Sequence, residues 1–234
     1  MPPPGHEPFL HAICTNPEDD TVRLVYADWL DENGDPERAE FIRLQVAQAD
    51  KPRAYDAAHF RAEALYKKNN AAWIGEIPQV GGIEWDDTFR RGFICGVRVI
   101  DSKRLLKHHT QLFAATPIQV LTLYDATYET AAKVFRIPEI DRLTELYLGR
   151  CRISPEHISV VTRCPRLQQL RTLGIRGRLL NGRQGLTDEE ALELTETPCL
   201  TSLEEVYLDG WLTERAAQLL RSRYTTVRFM GVRR

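Results

Sequence analysis

Six short apolar triplets punctuate the second part of the chain: Val97-Arg98-Val99, Leu121-Thr122-Leu123, Leu146-Tyr147-Leu148, Leu173-Gly174-Ile175, Val206-Tyr207-Leu208 and Val227-Arg228-Phe229. Their first members lie 24, 25, 27, 33 and 21 residues apart, and a polar stretch with helical periodicity follows each triplet but the last. Alternation along a strand sends the outer residues of a triplet to one face and the middle residue to the other. A strand-plus-helix unit of this length cannot bury its apolar face alone, so successive units are expected to stack. The pattern predicts helices over 102–114, 127–135, 155–164, 187–196 and 213–222. Two carry start signals: Ser154-Pro155-Glu156 places proline at the first helical position, and Thr187-Asp188-Glu189-Glu190 fits a capping box. The longest interval contains the polar, glycine-bearing insertion RGRLLNGRQG before Thr187.

The amino-terminal pattern is different. It predicts a helix over Glu7–Cys14, a second through VRLVYADWLDEN opened by Asn16-Pro17, and a third through ERAEFIRLQVAQAD opened by Asp35-Pro36. Leu24, Val25, Tyr26, Trp29 and Leu30 are expected to form the apolar side of the second helix, facing Phe41, Ile42, Leu44 and Val46 on the third. A further helical pattern covers 55–68 and is expected to end at Asn69-Asn70. The least periodic segment follows, with Pro78, Gly81 and Gly82 as turns and Trp73, Ile74, Ile83, Trp85 and Phe89 available to cap the first stacked unit. Three parts result: a helical domain over 1–50, a helical linker and cap over 51–92, and the repeating region over 93–234.

Composition sharpens this division. The chain has 234 residues, 43% of them hydrophobic, enough for a substantial core, and a net charge of -2. Residues 1–50 hold eleven acidic and three basic groups, whereas residues 51–234 hold 22 acidic and 28 basic groups. The opening MPPPGHEPF does not resemble a secretory leader, and no segment approaches the roughly 18 apolar residues of a membrane span. A cytoplasmic location is the expectation. The five cysteines, Cys14, Cys95, Cys151, Cys164 and Cys199, form no CxxC pair and are expected to be structural thiols rather than a disulfide framework.

The repeating region resembles leucine-rich repeat proteins of the ribonuclease-inhibitor-like, helix-containing type. In LTELYLGRCRISPEHISVV, residues Leu143, Leu146, Leu148, Cys151 and Ile153 match the form L-x-x-L-x-L-x-x-C/N-x-I/L. Partial matches are Ile118, Leu121 and Leu123; Leu170, Leu173 and Ile175; and Leu203, Val206, Leu208 and Leu212. Ala126 and Trp211 depart from the pattern at the position equivalent to Cys151. The segment EPFLHAICTNPEDDTVRLVYADWLDENGDPERAEFIRLQ resembles the repeat-companion domain found at the start of many planctomycete and myxobacterial proteins. Its matching residues are Asp20, Arg23, Leu24, Tyr26, Ala27, Asp28, Trp29, Leu30, Gly34, Asp35, Arg38, Ala39, Glu40, Phe41, Ile42 and Gln45. WDDTFRRGFICGVRV is similar to the W-x(3)-F-x-R-G-F segment that leads into the first repeat of such proteins. These resemblances imply an α/β leucine-rich repeat solenoid with parallel concave strands and convex helices, preceded by a small helical domain. They bring no biochemical activity with them.

On the concave face the middle column is Arg98, Thr122, Tyr147, Gly174, Tyr207 and Arg228, and the next is Ile100, Tyr124, Gly149, Arg176, Asp209 and Met230. Tyr and Arg combine contact area with directed polar groups and are enriched at interfaces, so Tyr124, Tyr147, Arg176, Tyr207, Asp209 and Arg228 are the candidate protein-binding residues. Tyr also suits a sheet surface for its strand propensity alone. Gly149 and Gly174 are expected to leave a shallow gap between aromatic neighbours. Asp28 and Trp29 offer an alternative adaptor surface on the helical domain, with the repeats as spacer.

Other chemistry finds less support. Asp31, Asn33 and Asp35 alternate as calcium ligands would, but Pro36 and Ile42 stand where an EF-hand needs glycine and glutamate, and helix capping explains the acids. The six histidines make no HExxH or comparable metal set, no glycine-rich phosphate loop or nucleophile elbow is present, and no cofactor is implied. An enzyme would need His157 or another titratable group to meet an enclosed pocket. Arg163, Arg166, Arg171, Arg176, Arg178 and Arg183 form a basic series, with Arg221, Arg223, Arg228, Arg233 and Arg234 beyond it. Interspersed acids and the lack of a framing motif argue against nucleic acid. The last strand has no closing helix, so the tail, a partner or a second copy is expected to cover its edge. The sequence therefore points to a nonenzymatic interaction protein or scaffold with an unidentified protein partner.

Overall fold

The computed structural model describes residues 4–49, 55–124, 126–149, 155–176 and 186–232. Cys151, Ile153, Ser154 and most of the insertion before Thr187, together with Arg233 and Arg234, lie outside the described residues. Four helices come first: α1 (Glu7–Thr15), α2 (Asp20–Glu32), α3 (Pro36–Gln48) and α4 (Ala57–Gly75). Strands β1 (Ile83–Trp85), β2 (Phe89–Arg90), β3 (Phe93–Ile94) and β4 (Gly96–Val99) follow. Then α5 (Ser102–Ala115), β5 (Val120–Leu123), α6 (Tyr128–Val134), β6 (Glu145–Gly149), α7 (Pro155–Thr162) and β7 (Thr172–Arg176) alternate. The order closes with α8 (Asp188–Glu196), β8 (Glu205–Leu212), α9 (Glu214–Arg223) and β9 (Thr226–Val232). No helix among the described residues is long and apolar enough to cross a membrane. The chain divides into two compact units: Met1–Gln79 with Trp85–Gly96 and Thr110–Ile118, and Val80–Glu84 with Val97–His109 and Gln119–Arg234.

In the first unit the caps set the helix boundaries. Asp35 accepts from the Arg38 N–H at 3.2 Å with Pro36 at the first position of α3, as the sequence predicts. Gly34, at φ 91, makes the turn from α2. Asn16-Pro17 does not open α2. Asn16 ends α1 by donating its N–H to Ala12 O, and the Asp19 carboxylate caps α2 by accepting from Thr21 N–H at 2.9 Å. Likewise α4 runs past Asn69-Asn70 to Gly75, because Asn69 donates its side-chain amide to Leu65 O within the helix and to Glu37 Oε2 on α3.

The buried stripe of α2 also departs from its apolar pattern. Leu24 and Val25 are 40% and 51% exposed, while Arg23 is 1% exposed. The stripe runs Arg23, Tyr26, Ala27 and Leu30 at helical spacing, one step round from the apolar pair. Arg23 donates to Asp19 O at 3.3 Å and its guanidinium lies 5.7 Å from the Phe93 ring. Arg38 is half-buried, with its guanidinium among four rings, 4.5 Å from the Trp73 ring, 5.2 Å from Phe93, 5.5 Å from Phe89 and 5.9 Å from Phe41. Its Nη1 is sealed from solvent with no hydrogen-bond partner among the described residues. Desolvation lowers the Arg38 pKa to about 10 and raises that of Tyr26 to about 12.

The FRRGF sequence forms a hairpin that completes this core. Phe89 pairs with Ile94 and Arg90 with Phe93, and Arg91 and Gly92 turn with φ of 50 and 87, positive at both central positions as in a type I′ turn. Gly92 sits against Ile42 and donates its N–H to Gln45 Oε1 at 2.8 Å. Arg91 Nε lies 3.0 Å from Asp20 Oδ1. Phe89 meets Phe41, Tyr66 and Trp73, and Phe93 meets Tyr26.

In the second unit one sheet has the order β1-β4-β5-β6-β7-β8-β9. Strands β5 to β9 pair in parallel, each with the next in sequence. Bonds from Ile100 N–H to Gly82 O and from Asp86 N–H to Gly96 O, one at either end, frame β1 against β4 in antiparallel register. Every apolar triplet lies in a strand, and its outer residues are buried from β4 through β8. Val227 and Phe229 are half-buried because β9 is an edge strand. Thr127 and Thr213 cap α6 and α9, and Thr187 with Glu190 forms the predicted capping box of α8.

Candidate functional site

Strand alternation brings Glu145, Tyr147 and Gly149 of β6 to the face opposite buried Leu146 and Leu148, and Glu205, Tyr207 and Asp209 of β8 to the same face. The parallel register then aligns residues across strands. Thr122, Tyr147, Gly174, Tyr207 and Arg228 form one row; Val120, Glu145, Thr172, Glu205 and Thr226 form the row beside it.

The two tyrosines are held in the same way. Tyr147 donates its hydroxyl hydrogen to Glu145 Oε2 at 2.9 Å, and Tyr207 donates to Glu205 Oε2 at 2.9 Å. The carboxylate two residues back on each strand thus fixes the ring that follows it. Donation to Glu205 is the main cause raising the Tyr207 pKa above its ordinary value. The Arg228 guanidinium stands 5.6 Å from the Tyr207 ring.

Gly149 and Gly174 do not leave a gap. A Cβ at Gly149 would lie 3.0 Å from Tyr124 Cε1, and one at Gly174 would run into Tyr147 Cδ1 and lie 2.9 Å from its Cε1. The glycines let the tyrosine of the preceding strand lie across the next one, so the rings occupy the space. Among the six candidate residues, Tyr147, Tyr207 and Arg228 share a row. Arg176 stands exposed opposite Gly149, and Asp209 is paired with Met230 while its carbonyl accepts from Leu186 N–H. Glu145 and Glu205 were missing from the candidates. Their signal was the repeated Glu-x-Tyr spacing, which a period of two places on one face.

The companion-like surface is tied down by ion pairs. Arg43 bridges Asp28 and Asp31 at 2.6 Å each, and Trp29 packs partly buried against the α1–α3 core. Asp35 serves as a cap. His157 is buried with Nε2 3.1 Å from Ala126 O, and His109 lies 3.0 Å from Glu139. A groove of about 650 Å³ is lined by residues in and just after α6 and α7, including Tyr128, Phe135, Arg136, Ser159 and Arg163, and His157 is not part of its lining. Arg163, Arg166 and Arg221 of the basic series stand near Glu193, Asp141 and Glu214. Cys14, Cys95 and Cys164 are buried cysteines outside any disulfide, and Cys199 is half-buried. Among the described residues no three His, Cys, Asp or Glu side chains gather where they would hold a metal ion. Comparison with family models, curated proteins and solved structures returned no match.

Proposed function

We propose that the chain is a cytoplasmic, nonenzymatic interaction protein: a leucine-rich repeat solenoid, preceded by a repeat-companion domain, that holds a partner protein on the open face of its sheet. The observation that carries this reading is the twice-repeated tyrosine clamp, Glu145 with Tyr147 and Glu205 with Tyr207, on strands held in register. Rings held before binding lose little rotamer freedom when a partner arrives, and Tyr and Arg are the side chains that dominate such contacts. Strands β5 to β9, in sequential parallel order with helices between them, support the solenoid reading. The mixed pairing of the basic series favours protein over nucleic acid as the partner.

The test is affinity capture from native-host lysate with the full chain and with a folded Tyr147→Ala/Tyr207→Ala variant. A protein enriched by the first and lost with the second supports the sheet face. Equal capture by both transfers the function to the companion-like helices or the outer helices, and a partner protecting only residues 17–45 would identify the former.

A further inference from the structure

The helices of the second unit carry a groove with a polarity of its own. Its volume is about 650 Å³, and it runs along α6 and α7, which pack against each other and follow parallel strands. Tyr128 and Pro155 begin the two helices at one end, and Arg136 and Arg163 stand just past their last turns at the other. Ala132, Phe135, Val160 and Cys164 line the stretch between, with Phe135 and Cys164 buried. The Cys164 thiol donates to Phe135 O at 3.5 Å and ties the two helix ends together. The one carboxylate of the lining, Glu156, sits in the first turn of α7, so at about 1.5 Å per residue it lies roughly 10 Å along the groove from Arg163. An apolar trough with two cations at one end results.

The repeat itself puts these two arginines side by side. Each precedes the first member of the next triplet, Leu146 or Leu173, by ten residues, and stands two residues before the proline of a short 3₁₀ turn, Pro138–Arg142 or Pro165–Leu167. The two turns pack against one another, so equivalent positions of neighbouring units meet at one end of the groove. Arg136 is exposed, and its side chain makes no hydrogen bond or ion pair among the described residues. The Arg163 side chain is 79% exposed, with Nε 3.5 Å from Glu193 Oε1, an oxygen that already accepts from Thr162 Oγ1 at 2.8 Å. Both guanidinium groups therefore keep N–H donors for a ligand, and a carboxylate matches such a fork with two parallel bonds. The trough beside them favours an anion that also carries apolar surface. Residues 51–234, with 28 basic and 22 acidic groups, add a field of the same sign.

We propose that the groove between α6 and α7 is a docking site for an acidic, apolar segment of a partner protein, with an apolar side chain on Phe135 and Val160 and a carboxylate between Arg136 and Arg163. None of the residues in the sheet rows lines this groove, so the proposal stands apart from the reading of the sheet face. It gives the chain a second contact surface, of opposite preference to the acidic helical segment at its start.

The experiment is a heteronuclear NMR titration of the full chain with the peptide acetyl-Leu-Glu-Phe-Glu-Leu-amide. The same peptide with glutamine for both glutamates is the control for charge. An Arg136→Gln/Arg163→Gln chain removes the cations of the groove, and Arg171→Gln/Arg215→Gln removes as much charge from exposed positions outside its lining. The expected result is saturable shifts centred on the amides of 132–136 and 159–164. Binding should be weaker by about tenfold or more for the glutamine peptide and for the Arg136→Gln/Arg163→Gln chain, the loss that goes with hydrogen bonds to charged groups, and unchanged in the Arg171→Gln/Arg215→Gln chain. Equal binding of both peptides, no saturable response, shifts centred elsewhere, or equal weakening in the two arginine variants overturns the assignment. The Tyr147→Ala/Tyr207→Ala chain should bind the peptide as wild type does, and loss of binding there would move the peptide to the sheet face and also overturn the groove. If the titration fails while the tyrosine variant still loses its captured protein, the groove is wrong and the sheet face is untouched.

Discussion

Tyr147 lies across Gly174 of the neighbouring strand, so closely that a side chain of any size at 174 would collide with its ring. This relationship joins the register of the sheet to the state of the proposed binding surface. The glycine contributes nothing by contact of its own; its value is the room it leaves. The obstructed atom, Cδ1, is near the root of the ring and cannot swing aside without moving the whole side chain.

Gly174→Ala should therefore cost about 1–3 kcal/mol, the usual penalty for overpacking, and should release Tyr147 from Glu145. Urea denaturation of the purified variant measures the first, and the tyrosine ring resonances report the second. An unchanged midpoint with an unchanged ring environment would contradict the packing described.

Gly92→Ala should be more damaging. At φ 87 an L-residue is strained by about 1–2 kcal/mol, and its Cβ would lie 2.9 Å from Ile42 Cα, adding a clash of similar size. A total loss of about 3 kcal/mol is expected in the midpoint of chemical unfolding. Gly81 offers the control, since no atom stands within 4 Å of its Cβ position, and Gly81→Ala should change stability by less than about 1 kcal/mol.

Alkaline stability carries the signature of Tyr26. Its pKa is about 12 in the folded chain against about 10 for an exposed tyrosine. Between these values the unfolded chain releases the proton and the folded chain retains it, so this group lowers stability as pH rises, by about 2 kcal/mol across the window. Arg38 works in the other direction: the folded chain releases its proton first, near pH 10, and gains stability from that point upward. Tyr26→Phe removes the first effect and leaves the second. Unfolding midpoints at pH 9 and pH 11.5 should show wild type losing ground to the variant at the higher pH, and a constant gap would contradict the burial of the hydroxyl.

The stacking pattern was legible because it is local. Outer triplet residues such as Leu146 and Leu148 are apolar at a period of two, and the caps at Asp35 and Thr187 lie within a few residues of what they cap. What escaped notice depends on distant partners. Gly92 pairs with Gln45, 47 residues earlier, and Arg38 lies among rings from Phe41 to Phe93, so nothing in the spacing of FRRGF shows that it completes a helical core. Arg23 was concealed by its charge: a residue expected in water fills the buried stripe, and Leu24 and Val25 are turned outward. On the sheet face the tyrosines were visible from alternation, but the glycines were mistaken for empty space. Whether an aromatic neighbour leans over a glycine depends on cross-strand register, which only the folded sheet specifies.

The most direct measurement of the central claim is isothermal titration of the purified captured partner against wild type and against Tyr147→Ala/Tyr207→Ala, with circular dichroism confirming that both are folded. Two clamped aromatic anchors, each contributing on the order of 2 kcal/mol, predict at least a hundredfold loss of affinity in the variant. Equal affinity of the two chains would contradict the account and remove the tyrosine face from the binding surface.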